Sequence, residues 1–429
     1  MKTFNKAFWV VATVASVTLA ACSGGGENSS QGSNSIGWNA TPDWISKPDG
    51  SGNSGNTSSD KSNTVPILVD NSMGSINMLS TTITVCVPGT QGASQCTTID
   101  RMLVDTGSVG VRIMASALPT LGSQLLTQAG ALDDATGFAP IAECMPFGSG
   151  ITWGSVKRAD IKIGSRTASN IPIQLVGDGA YAIPADCVAH GGPDLSTVAK
   201  LGANGILGIG HGTHDSKDAL TTALPGNYYY CTAANACFST RMSISKEVMN
   251  PVAAFPSDNN GTIIRLPKLP SGGQANVTGE LVFGIGTQQN NALPANVNIL
   301  GVDEYGEFTT QYQGQVFNWS AIDSGTNGFA FLDDSIPTTS NWYTPSTALD
   351  LAATMEATDG KGIPVNVPFT IGNAANMMAN GYAAYDNIGW YQSKYRMFLW
   401  GLPFFYGRSV YTAIGNSTIG KQSGPFVAF

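Results

Sequence analysis

The chain has 429 residues, 42% of them hydrophobic and only 12% charged. That is a globular composition, long enough for two domain-sized units or one large two-lobed one. Its 29 acidic residues outnumber 21 Lys and Arg, and the basic ones form no stripe, which argues against nucleic acid and anionic membrane surfaces as partners.

In chain order the first segment is an export signal. Lys2 and Lys6 precede an apolar run from Ala7 to Ala21, the pattern of a signal peptide over residues 1–21. The run is too short and too rich in small residues for a stable membrane span. It ends Leu19-Ala20-Ala21-Cys22, which resembles a bacterial lipobox. That resemblance implies acylation of Cys22 as the first mature residue; the alternative is an ordinary cleavage site beside an incidental cysteine. Ser23 rather than Asp follows, so the outer membrane is the expected destination, with the lipid anchor as the only membrane contact. Residues 22–64 are rich in Gly, Ser and Asn and read as a flexible tether. Its typical reach is about 35 Å, enough to hold a domain clear of lipid headgroups. Removing the signal's two lysines leaves the mature chain still more acidic.

Six cysteines remain after Cys22: Cys86, Cys96, Cys144, Cys187, Cys231 and Cys237. An even number in an exported chain predicts three disulfides. Local pairing suggests Cys86–Cys96 and Cys231–Cys237, leaving Cys144–Cys187, the simplest of about fifteen connectivities.

From Val65 onward the pattern is overwhelmingly β, with few helices. Alternating "TTITVCV" (81–87) and "TTIDRMLVD" (97–105) predict a hairpin. "GITWGSVKRADIKIG", "IPIQLVG", "GTIIRLP", "GELVFGIG" and "EFTTQYQGQVFNW" add strands. The best helix candidates are "LPTLGSQLLTQAGAL" (118–132) and "TPSTALDLAATMEA" (344–357), the latter with Thr344 as N-cap before Pro345.

One pattern occurs twice. "MLVDTGSVGVRI" (102–113) and "SAIDSGTNGFAFL" (320–332) each place a carboxylate after an apolar run, then hydroxyl, Gly, hydroxyl. Each is followed later by an apolar-Gly run: "NGILGIG" (204–210) and "MFLWGLPFFYG" (397–407). This predicts a duplicated lobe, residues 65–255 and 256–429, with one aspartate from each meeting at a shared cleft.

With these motifs in this order, residues 75–429 resemble a pepsin-like, bilobal aspartic protease. The resemblance implies an all-β fold of two related lobes around a central cleft. It implies Asp105 and Asp323 as catalytic residues, supported by Thr106, Gly107, Ser108, Ser324, Gly325 and Thr326. In that family the hydroxyl after each Asp bonds across to the other lobe, and the hydroxyl after each Gly bonds the outer carboxylate oxygen. "PFGSGITWGSVKRADIKIG" resembles the flap hairpin, which makes Phe147, Gly148, Ser149 and Trp153 substrate-binding candidates. "NPVAAFPSDNNGTIIRLP" and "GELVFGIGTQQNN" more narrowly resemble a family of bacterial exported lipoproteins without an assigned activity.

The chemistry explains the motif. Two carboxyls in contact cannot both ionise cheaply, so they share one proton. The ionised partner activates a water, and the protonated one donates to the peptide carbonyl oxygen. Two departures stand out. Phe147 replaces the family's flap tyrosine, for which the Trp153 indole N–H is a candidate substitute. Arg112 stands where the family favours an apolar or aromatic wall.

Other candidates read blandly. His211 and His214 with Asp215 have metal-ligand residue types but lie in a glycine loop; no metal and no cofactor are expected. His190 is isolated, no GxSxG elbow occurs, and the glycine runs lack the Walker lysine and the GxGxxG spacing. "YYYC" (228–231) reads as packing beside a disulfide. The expected function is a monomeric, lipid-anchored envelope aspartic endopeptidase acting on peptide or protein; the alternative is a catalytically silent lipoprotein that binds a peptide or glycan in the cleft.

Overall fold

The computed structural model describes residues 62–89, 92–360, 362–392 and 396–429. The expected signal segment, Cys22 and the tether up to residue 61 lie outside the described residues. Within them no helix is long and apolar enough to cross a membrane.

The chain is mostly β. A 16-stranded sheet holds the first half and part of the second; the remaining strands of the second half form a nine-stranded sheet and the two-stranded pair Thr418–Ile419 and Gln422–Ser423. The strand Thr64–Val69 joins the halves, pairing antiparallel with Val277–Phe283 over six registered positions. The expected division at 255/256 falls between the 3-10 turn Val252–Ala254 and the strand Gly261–Arg265, both in contact with that long sheet.

Each duplicated turn is held in the same way. The strand Cys96–Asp105 leads into the first turn and Val109–Met114 leaves it; Gly205–Ile209 threads between them, parallel to the first and antiparallel to the second. In the second half Gln315–Ile322 and Phe329–Phe331 flank Leu399–Trp400 with the same two senses. The apolar-Gly runs are these threaded strands. Buried on all sides, they are apolar throughout. An aromatic cluster backs the second turn: Phe398 stacks on Trp400 at 4.5 Å, and the Trp400 indole N–H donates to Thr310 Oγ1 at 3.1 Å.

Three disulfides form: Cys86–Cys96, Cys144–Cys187 and Cys231–Cys237. The first and last staple hairpins at directly paired positions, and the second ties a strand to the short helix Ala185–Gly191.

Both expected helices are corrected. Residues 349–356 form the strand Leu349–Glu356, paired with Val365–Ile371 and Phe308–Tyr312. Leu349, Leu351, Ala353 and Met355 face inward while Asp350, Ala352, Thr354 and Glu356 face out, so the burial period is two. Residues 118–132 are turns followed by the two-residue strand Leu126–Thr127. Leu118, Leu121 and Leu125 do reach the core at helical spacing, but Pro119 and Gly122 interrupt any regular helix.

Candidate active site

Asp105 ends one strand and Asp323 follows another, so the peptides after them are free to turn inward. The Gly107 N–H donates to Asp105 Oδ1 at 2.9 Å and the Ser108 hydroxyl to Asp105 Oδ2 at 2.5 Å. The second turn repeats this: Gly325 N–H to Asp323 Oδ1 at 2.8 Å, Thr326 Oγ1 to Asp323 Oδ2 at 2.6 Å. Each carboxyl thus has one oxygen held by a backbone donor and one by a hydroxyl.

The turns also grip each other. The Thr106 hydroxyl donates to the Ile322 carbonyl at 3.1 Å and accepts from the Ser324 N–H at 3.0 Å. The Ser324 hydroxyl donates to the Val104 carbonyl at 2.8 Å and accepts from the Thr106 N–H at 3.1 Å. Four bonds cross between the halves with two-fold symmetry. They bring the carboxyls of Asp105 and Asp323 together at one site, close enough for each to shift the other's titration. Side chains are excluded at the two glycines: a Cβ on Gly107 would lie 2.7 Å from Asp323 Oδ1, and one on Gly325 would lie 2.7 Å from Asp105 Oδ1.

Both carboxyls are buried, Asp105 at 0% exposure and Asp323 at 1%. Burial raises Asp105 above the ordinary carboxylate range, opposed by the Ser108 hydroxyl, the contact with Asp323, the Gly107 N–H and the charge of Arg112. Burial, and then the charge of Asp105, push Asp323 well above that range. The two carboxyls titrate as a pair, and both shifts favour retaining a proton above the ordinary carboxylate range.

The hairpin of Ile141–Phe147 and Gly150–Ile163 turns through Gly148 and Ser149. It is tied down by Ile151 N–H to the Pro193 carbonyl at 2.9 Å and Leu195 N–H to the Ile151 carbonyl at 2.7 Å. Two expectations for it need correction. Phe147 is fully buried, packed with Met78, Leu103, Met114 and Ile206 instead of lining a cleft; with no hydroxyl to satisfy, its ring joins the core. The Trp153 indole N–H donates to the Tyr181 carbonyl at 2.9 Å, so it is not available to the aspartates. Its ring packs edge-on against Tyr229 beside the disulfides of Cys144 and Cys231.

A cavity of about 330 Å³ lies beside the first turn, lined by Gly107, Ser108, His211, Asp215, Glu304 and Tyr305 among others. His211 is committed to structure: its Nδ1–H donates to the Ala413 carbonyl at 2.8 Å, and burial lowers its pKa to about 4. Among the described residues no group of three or more His, Cys, Asp and Glu is placed to hold a metal.

Sequence reading missed the surroundings of Arg112. Its guanidinium is 1% exposed and binds Glu143 Oε1 at 2.6 Å and Asp215 Oδ2 at 2.5 Å, while the Tyr228 hydroxyl donates to Asp215 Oδ1 at 2.6 Å. The signal was a lone charge in each of two otherwise apolar runs, "VGVRIM" and "IAECMPF".

Two β-rich halves, each offering one threaded Asp-hydroxyl-Gly-hydroxyl turn to a common site, define the bilobal pepsin-like fold. The chain belongs to the family described as protein of unknown function (DUF3443), whose model matches residues 59–429. No curated protein matches it. Among solved structures the aspartic proteinase from Irpex lacteus is similar, at 13% identity over 85% of this chain and 96% of that one, with a TM-score of 0.44.

Proposed function

We propose that this protein is an exported, lipid-anchored aspartic endopeptidase of the bacterial envelope. The observation that carries the reading is the convergence of the Asp105 and Asp323 carboxyls, each held by its own glycine N–H and hydroxyl and each lying against the other turn's glycine. Asp105, ionised, takes a proton from a water as that water attacks the peptide carbonyl. Asp323, protonated, donates to the carbonyl oxygen. Collapse of the tetrahedral adduct returns a proton to the leaving amine and breaks the C–N bond. One chain supplies both aspartates, so a monomer suffices, and the carboxyls do this chemistry without a cofactor.

The pair works while it holds one proton. Rate is expected to fall in strong acid, where both carboxyls are protonated, and again at higher pH, where the second proton leaves. Burial raises both groups, so the working window is shifted upward from that of exposed carboxylates. The test is to incubate the chain with a diverse peptide pool across pH, with and without a statine-type inhibitor. Asp105→Asn and Asp323→Asn are each expected to abolish cleavage while the protein stays folded.

A second reading is a silent binder of peptide or glycan. It is favoured by the burial of both carboxyls and by Phe147, whose ring brings no hydroxyl. Intact peptides at every pH, with retained peptide binding, would select it.

A further inference from the structure

We propose that Arg112 is a positioning residue that clamps the first catalytic turn from behind and fixes Asp105, not Asp323, as the ionised partner. The inference rests on the proteolytic reading and adds the assignment of roles within the pair.

The two turns are near-duplicates, and their difference lies in the strand that leaves each one. Asp105 is followed by Thr-Gly-Ser-Val-Gly-Val-Arg112, and Asp323 by Ser-Gly-Thr-Asn-Gly-Phe-Ala330. At the same offset the first turn has a guanidinium and the second a methyl, both buried. The turns themselves supply equivalent donors, so this position is a source of asymmetry outside them.

Arg112 reaches back along its own strand. Its Nη1 donates to the Val109 carbonyl at 2.7 Å, one residue past the Ser108 that bonds Asp105. Gly110 leaves the space: with φ of +102°, a Cβ there would lie 3.3 Å from Nη1 and 2.4 Å from Val248 Cγ1. The other face of the guanidinium lies 5.8 Å from the centre of the Phe147 ring. One cation therefore touches both the turn that carries Asp105 and the tip strand of the hairpin.

A charge in a dry interior acts over several ångströms, and a cation favours the ionised form of a nearby carboxyl. Arg112 acts in this sense on Asp105. The groups facing it are Glu143 on the strand Ile141–Phe147, Asp215 in the loop after Gly205–Ile209 and Tyr228 on the strand Tyr228–Ala233; Glu247, after the turn Ile244–Lys246, acts on Tyr228 behind them. Glu143 Oε1 and Asp215 Oδ2 both accept from the guanidinium, and burial with the Glu143 charge pushes Asp215 well above the carboxylate range. Burial opposes the charge on Arg112, but the two carboxyls beside it hold it in place, and Nη1 sets that charge against the residue after Ser108.

The test compares two variants that share neutral acids. Glu143→Gln with Asp215→Asn keeps the cation; adding Arg112→Met removes it without stranding buried carboxylates. Asp105 is read by carbon-13 carboxyl NMR in the full chain, and the acid limb of the pH–rate profile is read beside it. The titration of Asp105 is expected about one pH unit or more higher in the triple variant than in the double. Coincident titrations in folded proteins would overturn the proposal. Arg112→Lys covers the case of a triple variant that fails to fold. Keeping the charge but losing the fork, it should titrate at Asp105 within about 0.3 pH units of the unaltered protein; an upward shift beyond that assigns no role to the charge and overturns it. If the unaltered protein cleaves no peptide at any pH, the proteolytic reading fails, and the NMR comparison still decides the role of Arg112.

Discussion

At the residue scale the turn hydroxyls and one buried acid have separable consequences. Ser324 Oγ satisfies both the Thr106 N–H and the Val104 carbonyl, so Ser324→Ala leaves two buried backbone groups without partners. Unsatisfied buried groups cost ~1–3 kcal/mol each, so a loss of roughly 2–6 kcal/mol in urea unfolding is expected. A loss below about 0.5 kcal/mol, the level of an ordinary surface change, would mean the grip is ornamental. Glu247 is buried at 0% exposure; the Ser216 N–H approaches it, yet neither carboxylate oxygen completes a hydrogen bond. Burial lifts its pKa from 4.5 to about 8. Below pH 4.5 it is protonated whether the chain is folded or not, so it imposes no penalty there. Between 4.5 and 8 only the folded chain keeps the proton, and stability falls as pH rises; above 8 the loss is complete. The slope is ~1.4 kcal/mol per pH unit at most, so Glu247→Gln is expected to gain about 3 kcal/mol at pH 7 and nothing at pH 4. Equal effects at both pH values in thermal melts would contradict this.

At the element scale, legibility followed locality. The two Asp turns could be read because carboxylate, hydroxyls and glycine sit within four consecutive positions, and the disulfides Cys86–Cys96 and Cys231–Cys237 because each closes one hairpin. The Arg112 network could not, since its members come from four separate segments and only the fold brings them together. The strand Leu349–Glu356 was misread for a different reason. Its Leu, Ala, Met and Glu are strong helix formers, and they outweighed an alternation that was present in the sequence. Pairing on both edges decides the matter, because a central strand gains ladder bonds on two sides. The disulfides can be ranked by the chain they enclose. Cys144–Cys187 spans 43 residues, against 10 and 6 for the hairpin staples. Loop-closure entropy then predicts about 4 kcal/mol lost on replacing the long bridge with serines and about 2–3 kcal/mol for either short one. Paired Cys→Ser variants in urea unfolding check the order; a short bridge outranking the long one would show that strain or local packing, not loop length, decides.

At the scale of the whole molecule, the proposed lipid anchor makes one prediction outside the described residues. Cys22→Ser is expected to move the protein from the membrane fraction to the soluble envelope fraction, because the Leu-Ala-Ala-Cys ending is the sole candidate attachment. Equal membrane retention on fractionation would remove the anchor. The strand next to that tether carries a further consequence, which concerns time. Thr64–Val69 is among the first folded residues to be synthesised, yet only Leu68 and Val69 pair with Ser80 and Leu79 nearby. Its full register waits for Val277–Phe283, beyond the middle of the chain. A nascent first half therefore carries an open apolar edge until the second half emerges. The catalytic turns obey the same schedule, since Thr106 finds its partners only when Ile322 and Ser324 have been made. Until Ile322 and Ser324 have been made, a nascent chain cannot assemble the pair of aspartates, so every shorter intermediate lacks the shared site.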